Sequence, residues 1–216
     1  MVYAVVARPA VLGARLRSFK GEKALQVAGV KKVLEIPGYK GAPAFQPLGG
    51  VAVVASNTWA AMQGRQALEL DWDEGAHASY DSGEYRKLLE KAAASPGKLM
   101  RSNGDIEAVM KAAGDKNLIA ADYYVPHLAH ASMEPPAATA LVAADKSRCE
   151  IWTSVQDPET CKKLVAGFLG MKPEQVTVNV LLLGGAFGRK SKPDFAAEAA
   201  LIAQSMPGTP VRGVWT

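Results

Sequence analysis

Short runs of apolar and β-branched residues recur along this chain, and most of them end at glycine or proline. Such runs are typical of buried β-strands, whereas apolar residues spaced three or four apart are typical of one helix face. The predicted strands are residues 2–7, 30–36, 51–55, 68–72, 118–125, 137–144, 149–154, 176–183 and 211–215. The predicted helices are residues 20–28, 57–68, 82–94, 105–113, 158–169 and 194–205. Strands and helices mixed in this order predict an α+β fold.

Capping and turn residues support several of these boundaries. Asn57 is the expected N-cap of the second helix, and Asp157 followed by Pro158 is the expected start of the fifth. The stretch 41–50 is rich in proline and glycine and is expected to be a loop. Residues 145–147 (DKS) are expected to turn a hairpin between two strands.

The order of these elements divides the chain into three predicted parts. Residues 1–75 are predicted to form a compact α+β module. Residues 76–116 hold two polar helices, which are typical of a linker on the surface. Strands return in residues 117–216, which we interpret as the N-terminal part of a second α+β domain.

The strand predicted at 176–183 stops at residues 184–188 (GGAFG), which we call the glycine loop. Glycine costs backbone entropy, so three glycines in five residues are expected at a tight turn or where bare N–H groups meet a ligand. Both interpretations stay open from the residues alone. The P-loop pattern fails because Arg189 takes the place of its second glycine. The dinucleotide fingerprint fails because Leu183 takes the place of its first glycine.

Four polar residues outside the glycine loop invite a functional interpretation. His127, His130 and Glu134 have a spacing that fits neither of the helical zinc-protease motifs, so structural or pocket-lining histidines are the preferred interpretation over a metal site. Gln156 follows a predicted strand and precedes a helix cap. Its amide suits an anionic or oxo ligand, but a solvated turn glutamine is the simpler alternative.

Composition excludes several classes of function. The net charge of +4 is spread over interspersed basic and acidic residues, so nucleic acid is not an expected partner. Cys149 and Cys161 cannot hold an iron–sulfur cluster or structural zinc by themselves, and two buried thiols are preferred over a disulfide. No nucleophile elbow or Cys/His pairing supports a hydrolase. The N-terminal apolar run is too short for a signal peptide or a membrane span.

Four segments, in one consistent order, resemble the large subunit of the xanthine oxidase family of molybdenum hydroxylases. The likeness is strongest to the branch of isoquinoline 1-oxidoreductase beta subunits and membrane-bound aldehyde dehydrogenases. The segments are 57–75 (NTWAAMQGRQALELDWDEG), 130–140 (HASMEPPAATA), 151–158 (IWTSVQDP) and 182–190 (LLGGAFGRK). The resemblance implies that residues 1–75 are an a/b hammerhead-like module. It also implies that residues 117–216 are the N-terminal part of a molybdopterin-binding domain.

The resemblance also implies which residues bind the cofactor. Gln156 corresponds to the family's glutamine at the molybdenum centre, and the glycine loop corresponds to the loop beside the metal's oxo group and the pterin. The implied cofactor-binding residues are Gln156, Gly184, Gly185, Ala186, Phe187, Gly188 and Arg189. Ala186 departs from the commoner glycine, and Arg189-Lys190 replaces the Gly-Lys of many relatives. No segment corresponds to the family's general-base glutamate, so neither a catalytic residue nor a protein ligand to the metal is implied.

The implied cofactor is molybdopterin with molybdenum, as the cytosine dinucleotide, with iron–sulfur clusters on a partner subunit. The implied partners are the rest of the large subunit or a companion chain, a small 2Fe-2S subunit, a small-molecule substrate and, as a further candidate, a cytochrome c. The implied activity is hydroxylation of N-heterocycles or oxidation of aldehydes with water, and this chain alone is expected to be inert. The alternative hypothesis is a non-catalytic scaffold or assembly module of the same fold. Relatives suggest a periplasmic or membrane-associated location, but the compartment stays open.

Overall fold

The computed structural model describes residues 1–39, 41 and 45–216, so residues 42–44 of the expected loop lie outside the described residues. The strands are β1 (Val2–Ala7), β2 (Arg15–Lys20), β3 (Val30–Ile36), β4 (Gly50–Ala55), β5 (Glu69–Asp73), β6 (Ala137–Val142), β7 (Cys149–Thr153), β8 (Val176–Val180) and β9 (Val211–Val214). The helices are α1 (Glu22–Leu25), α2 (Thr58–Gln66), α3 (Ser82–Ala93), α4 (Ile106–Ala113), α5 (Pro158–Leu169) and α6 (Asp194–Gln204). The mixture of helices and strands agrees with the predicted α+β class.

Contacts divide the chain into two units, which are described separately. The first unit comprises residues 1–78 and 130–216, and the second comprises residues 79–129. The predicted boundaries at residues 75 and 116 were drawn from the sequence. A division by contacts does not test them, so they stay a prediction.

A seven-stranded sheet organises the first unit, with the strand order β3-β4-β1-β9-β6-β7-β8. β1 pairs antiparallel with β4 and parallel with β9, where Val2 lies opposite Val211. β4 is buried along its whole length, as expected for a strand covered on both faces. β7 and β8 are parallel neighbours, so both strands run in the same direction at one side of the sheet. The glycine loop therefore follows a strand at the edge of this sheet.

Helix α6 covers the middle of the sheet. It contacts β6, β9 and α5, and nearly every residue of it is buried. A helix that is apolar on all sides is typical of the interior of a protein. Phe195 and Ile202 are its largest apolar side chains and are 2% and 0% exposed, while small alanines elsewhere let the sheet approach closely. Helix α6 therefore supplies a large part of the hydrophobic core of the first unit.

Both cysteines are free and buried, as predicted. Cys149 lies in β7 and Cys161 in α5. Burial raises the pKa of each thiol to about 12, because the thiolate would lose its hydration in the apolar core. The two side chains therefore act as small apolar core residues rather than as reactive groups.

The second unit is built on helices α3 and α4. Their N-caps are Asp81, which accepts from the N–H of Glu84, and Asp105, which accepts from the N–H of Ala108. Neither helix contains a buried residue. The two helices were predicted, and local capping is sufficient to explain where they begin.

One predicted strand is absent, and one strand of the first unit was not predicted. Residues 118–125 form no strand, and all of them are exposed. An isolated strand leaves its N–H and C=O groups unpaired, so β-branched composition alone does not make one. Conversely, β2 was not predicted because Arg15–Lys20 is rich in charge. It forms a two-stranded sheet with β5, where Arg17 lies 3.7 Å from Asp71.

β8 is shorter than predicted. It ends at Val180, and Leu181 only donates one further bond, to the carbonyl of Thr153 at 3.0 Å. Leu182 is 99% exposed, so the expectation of a buried strand as far as the glycine loop is wrong. No helix in the described part of the chain is both long and apolar enough to cross a lipid bilayer.

Candidate functional site

The backbone of the glycine loop takes left-handed conformations at three positions. The φ angles are +57° at Gly185, +52° at Phe187 and +89° at Gly188. Glycine adopts such angles without strain, whereas a residue with a side chain is expected to cost about 1 to 3 kcal/mol there. Phe187 is also 65% exposed, so packing does not account for its presence. Strain of this kind concentrates at functional sites.

Four of the five residues of the glycine loop are at least partly exposed, so their N–H groups are available to a ligand, whereas Ala186 is buried. Among the described residues, no protein acceptor takes the N–H of any residue from Gly184 to Gly188. A Cβ placed on Gly184 or on Gly188 would meet no described atom within 4 Å, so the loop is open on that side. Consecutive N–H groups in alternating right- and left-handed conformations form a concave site for anions. The loop therefore has the donors and the space that an anionic ligand requires.

A short segment, residues 132–134, lies along the other side of the glycine loop, and we call it the backing segment. Met133 donates its N–H to the carbonyl of Gly185 at 2.9 Å, and Ser132 Oγ donates to the carbonyl of Ala186 at 3.3 Å. A Cβ on Gly185 would lie 2.8 Å from Cγ and Sδ of Met133. A side chain at this position would be strained by the φ angle, and Met133, which is 80% exposed, would have to move.

Gln156 lies beside the same region. It follows β7, and its N–H donates to the carbonyl of Lys190 at 3.1 Å. Its side chain is exposed. A residue shortly after β7 and a residue shortly after the glycine loop are therefore joined through the main chain. This bond brings Gln156 near the end of the loop, and the role of its side chain stays a prediction.

Lys190, which follows the predicted site residues, is completely buried. Its Nζ donates to a carboxylate oxygen of Glu134 and lies 3.3 Å from Ser154 Oγ, and Ser154 Oγ donates to the same carboxylate at 3.0 Å. The hydrogen bond from Lys190 lowers the pKa of the Glu134 carboxyl below its usual value. The charge of Lys190 is therefore neutralised by protein and does not face the open side of the loop.

Arg189 also directs its charge into the protein. Its guanidinium donates to Asp194 Oδ2 at 2.7 Å and to the carbonyl of Lys192 at 3.1 Å, and it lies 4.8 Å from the ring of Trp215. Its N–H donates to the carbonyl of Ala186 at 2.9 Å and closes the turn of the glycine loop. The role of Arg189 in binding a cofactor stays a prediction.

A second arginine completes this cluster beneath the glycine loop. The guanidinium of Arg8 lies 4.3 Å from the ring of Trp215 and is paired with Glu198, to which Trp215 also donates at 2.8 Å. Burial raises the pKa of both Asp194 and Glu198, although the two arginines oppose this shift. The ion pairs Arg8–Glu198 and Arg189–Asp194, which share the ring of Trp215, therefore connect the end of β1, helix α6 and the end of the glycine loop.

The histidines do not share an environment. His127 belongs to the second unit, where its Nδ1 lies 3.3 Å from the hydroxyl of Tyr80. His130 belongs to the first unit and is exposed. Within the described ranges, no group of three or more His, Cys, Asp or Glu residues could hold a metal ion.

A separate cavity of about 550 Å³ lies in the first unit, away from these residues. The side chains that face it include Leu16, Tyr39 and Trp72. Its described lining contains neither Gln156 nor any residue of the glycine loop. The glycine loop and this cavity are therefore separate sites.

Comparison with known proteins decides the family. The family model described as the molybdopterin cofactor-binding domain matches residues 91–216. The chain belongs to this family.

Three relatives show how far the likeness extends. The beta subunit of isoquinoline 1-oxidoreductase from Brevundimonas diminuta is 30% identical over 225 residues, which cover 100% of this chain and 27% of that protein. The membrane-bound aldehyde dehydrogenase (pyrroloquinoline-quinone) of Gluconacetobacter polyoxogenes is 27% identical over 215 residues, which cover 96% of this chain and 26% of that protein. The structure of the aldehyde oxidoreductase from Desulfovibrio gigas matches with a TM-score of 0.70 and 21% identity, over 100% of this chain and 27% of that chain.

These matches confirm the predicted resemblance to the xanthine oxidase family and the predicted fold. The chain carries a molybdopterin cofactor-binding domain of the aldehyde and isoquinoline oxidoreductase family. It spans no more than 27% of the length of the curated relatives named above. The comparisons test no single residue, so the roles of Gln156 and of the glycine loop stay predictions.

Sequence reasoning missed the residues that support the site. The backing segment lies within the resembling stretch at 130–140, but Ser132 and Met133 carry no motif of their own. Lys190 could not be recognised as buried, because lysine is almost always exposed unless it is paired. Its partner Glu134 is 56 residues away in sequence.

Phe187→Gly is expected to be more stable than Phe187→Ala by about 1 kcal/mol, because glycine accepts the left-handed conformation and alanine does not. Phe187 is mostly exposed, so the two variants lose the same small amount of packing. Urea unfolding of both variants measures the difference. An alanine variant that is the more stable of the two would contradict the assigned backbone strain.

Proposed function

We propose that this chain holds a molybdenum pterin cofactor, as the cytosine dinucleotide, between the glycine loop and Gln156. The intact enzyme would hydroxylate N-heterocycles or oxidise aldehydes with oxygen from water. The observation that carries the proposal is the row of N–H groups from Gly184 to Gly188, which have no acceptor among the described residues. A chain of a cofactor-binding family that exposes such donors has a place for the anionic parts of that cofactor.

The donor set of the site fits such a cofactor. The phosphate and oxo oxygens of the cofactor are hydrogen-bond acceptors, and the glycine loop offers backbone donors that no group in the described part of the chain uses. The exposed amide of Gln156 supplies a further donor beside the loop. The cofactor supplies the redox chemistry when it is bound, and the protein supplies its position and its electrostatic environment.

Individual residues have distinct tasks in this proposal. The N–H groups of the glycine loop bind and orient the acceptor oxygens. Gln156 donates from its side-chain amide and thereby fixes the ligand relative to the end of β7. Phe187 presents an exposed apolar ring beside the donors and excludes water from one side of the site. Arg189 closes the turn of the loop through its N–H.

The rest of the reaction needs groups beyond this chain. We propose that the general base comes from the rest of the large subunit or from a companion chain. We also propose that electrons pass to iron–sulfur clusters on a small partner subunit, with a cytochrome c as a further candidate acceptor. This chain alone would then be inert. These proposals follow from the relatives, one of which is named as a beta subunit, and from the 27% of its length that this chain covers.

Gln156→Ala is expected to lower the molybdenum content of the assembled protein about tenfold, because a hydrogen bond to a charged group contributes about 1.5 to 3 kcal/mol. The experiment purifies the chain together with its companion polypeptides and measures molybdenum and released cytosine nucleotide per chain. The matched control is Gln66→Ala, at an exposed glutamine in α2.

The outcomes separate the two hypotheses. Wild-type content in the Gln66→Ala protein and loss in the Gln156→Ala protein would support the proposal. Full molybdenum content in the Gln156→Ala protein would contradict the assignment of Gln156. An assembled wild-type protein without molybdenum would favour the alternative, a non-catalytic scaffold of the same fold.

A further inference from the structure

We propose that Lys190 and Glu134 form a positioning clamp, in which a buried ammonium fixes the glycine loop against the backing segment and the end of β7. The clamp rests on the proposed function, because its purpose is to keep the donors of the loop aimed at the cofactor. Neither residue is proposed to touch the cofactor. Both act through the main chain that they hold.

The burial of Lys190 is the first observation. The residue is 0% exposed, although lysine is almost never fully buried without a partner. Its ammonium reaches the Glu134 carboxylate and lies 3.3 Å from Ser154 Oγ. A buried charge costs several kcal/mol unless it is paired and hydrogen-bonded. A charged Lys190 can therefore stay buried in this place only while the Glu134 carboxylate balances it.

The three segments that meet at Lys190 are the second observation. Glu134 ends the backing segment, whose other residues already bond the carbonyls of Gly185 and Ala186. The carbonyl of Lys190 accepts from the N–H of Gln156 at 3.1 Å. The main chain of Lys190 thus holds Gln156. Its side chain holds the backing segment, which in turn supports the glycine loop. Moving its ammonium would displace both together.

The unequal exposure of the pair makes the proposal testable. The side chain of Lys190 is 1% exposed, whereas that of Glu134 is 50% exposed. Removing the carboxylate charge leaves a buried cation without its partner, and the loop must move to let water reach it. Removing the ammonium leaves a carboxylate that water already reaches. The variant Glu134→Gln should therefore disturb the loop more than Lys190→Met, and the double variant should disturb it less than Glu134→Gln.

Amide hydrogen exchange of the full chain without cofactor tests this order. We expect Glu134→Gln to speed exchange of the hydrogen-bonded N–H groups of Met133, Gln156 and Arg189 by at least about tenfold while exchange in β4 stays unchanged, because the opening is local. The rate in the double variant should lie between those of wild type and Glu134→Gln. Glu150→Gln is the matched control, since Glu150 is a partly buried carboxylate that accepts from Asn179 at 2.9 Å in the same unit.

Several outcomes would overturn the clamp. One is the same rate at the N–H groups of Met133, Gln156 and Arg189 for all variants. Another is an equal rise in β4, which would show a general loss of stability rather than a positioning role. If Glu134→Gln does not fold, Lys190→Met and the double variant still decide, because a double variant in which these three N–H groups exchange as slowly as in wild type would show that no ionic clamp is needed.

A second measurement distinguishes failure of the clamp from failure of the proposed function. The exchange experiment needs no cofactor, so it reports on the loop whatever the loop binds. The molybdenum content of the assembled Glu134→Gln protein is expected to fall at least about fivefold, in parallel with the loosened loop. A loosened loop with wild-type molybdenum content would overturn the link between the clamp and the cofactor, while an unchanged loop would overturn the clamp itself.

Discussion

Replacing Arg8 with methionine is expected to lower the free energy of unfolding by about 3 to 5 kcal/mol. Arg8 donates from Nε to Glu198 Oε1 at 3.0 Å and also bonds the second carboxylate oxygen. Glu198 lies in α6 and is only 3% exposed. The substitution would leave a buried carboxylate without its cation, while methionine keeps most of the apolar length of the arginine side chain.

The matched control is Arg17→Met. Arg17 lies 3.7 Å from Asp71, but its side chain is 62% exposed, so its loss is expected to change stability by less than about 1 kcal/mol. Adding Glu198→Gln to Arg8→Met removes the unpaired charge and should recover part of the loss. Urea unfolding followed by circular dichroism measures all three proteins. Similar losses for Arg8→Met and Arg17→Met would show that the buried pair is not what holds β1 to α6.

Gly185→Val is the second substitution with a large expected effect. It should lower the free energy of unfolding by about 2 kcal/mol, from the strain of a β-branched residue held at a left-handed φ angle. The φ angle of Gly185 is +57°, and its Cβ would lie 2.8 Å from Met133. Because the bond from Met133 to the Gly185 carbonyl would also be disturbed, the N–H groups of the glycine loop should lose their common direction.

Gly184→Val provides the control within the same loop. Gly184 is not among the residues with positive φ, and a Cβ there would meet no described atom within 4 Å. Its replacement is expected to change the free energy of unfolding by no more than about 0.5 kcal/mol. Urea unfolding compares the two variants. Equal losses would contradict the assignment of Gly185 as the strained position of the two.

Elements with their own capping residues could be predicted from the sequence. α5 begins at Pro158 and ends at Leu169, as predicted, because Asp157 accepts from the N–H of Thr160 at 2.9 Å. Gly170, in a left-handed conformation, ends the helix. In α2 the side chain of Asn57 accepts from the N–H of Ala60 in the same way. These signals are local, and no distant partner is needed to interpret them.

Features that depend on distant partners could not be predicted. β2 exists because β5, roughly fifty residues later, supplies its hydrogen bonds and opposite charges. Residues 118–125 have a strand-like composition but no such partner among the described residues. The seven-stranded sheet joins β1 to β9, which a division of the sequence into consecutive parts does not suggest.

The candidate site divides in the same way. The glycine loop was recognisable because glycine has few other reasons to recur after a strand. The sequence does not show which groups the two basic residues after the loop face. Arg189 and Lys190 look like cations for a phosphate in the sequence, yet one pairs with Asp194 and the other with Glu134. The donors that remain for a ligand are backbone N–H groups, which carry no mark in the sequence.

The central claim is that the glycine loop binds the molybdenum cofactor through its N–H groups. An experimental structure of the assembled enzyme with its cofactor bound tests this claim most directly. We expect cofactor oxygens about 2.7 to 3.2 Å from N–H groups of residues 184–188, with the side-chain amide of Gln156 in contact with the same ligand. A cofactor bound in full, with these N–H groups facing solvent or another segment of protein, would contradict the claim.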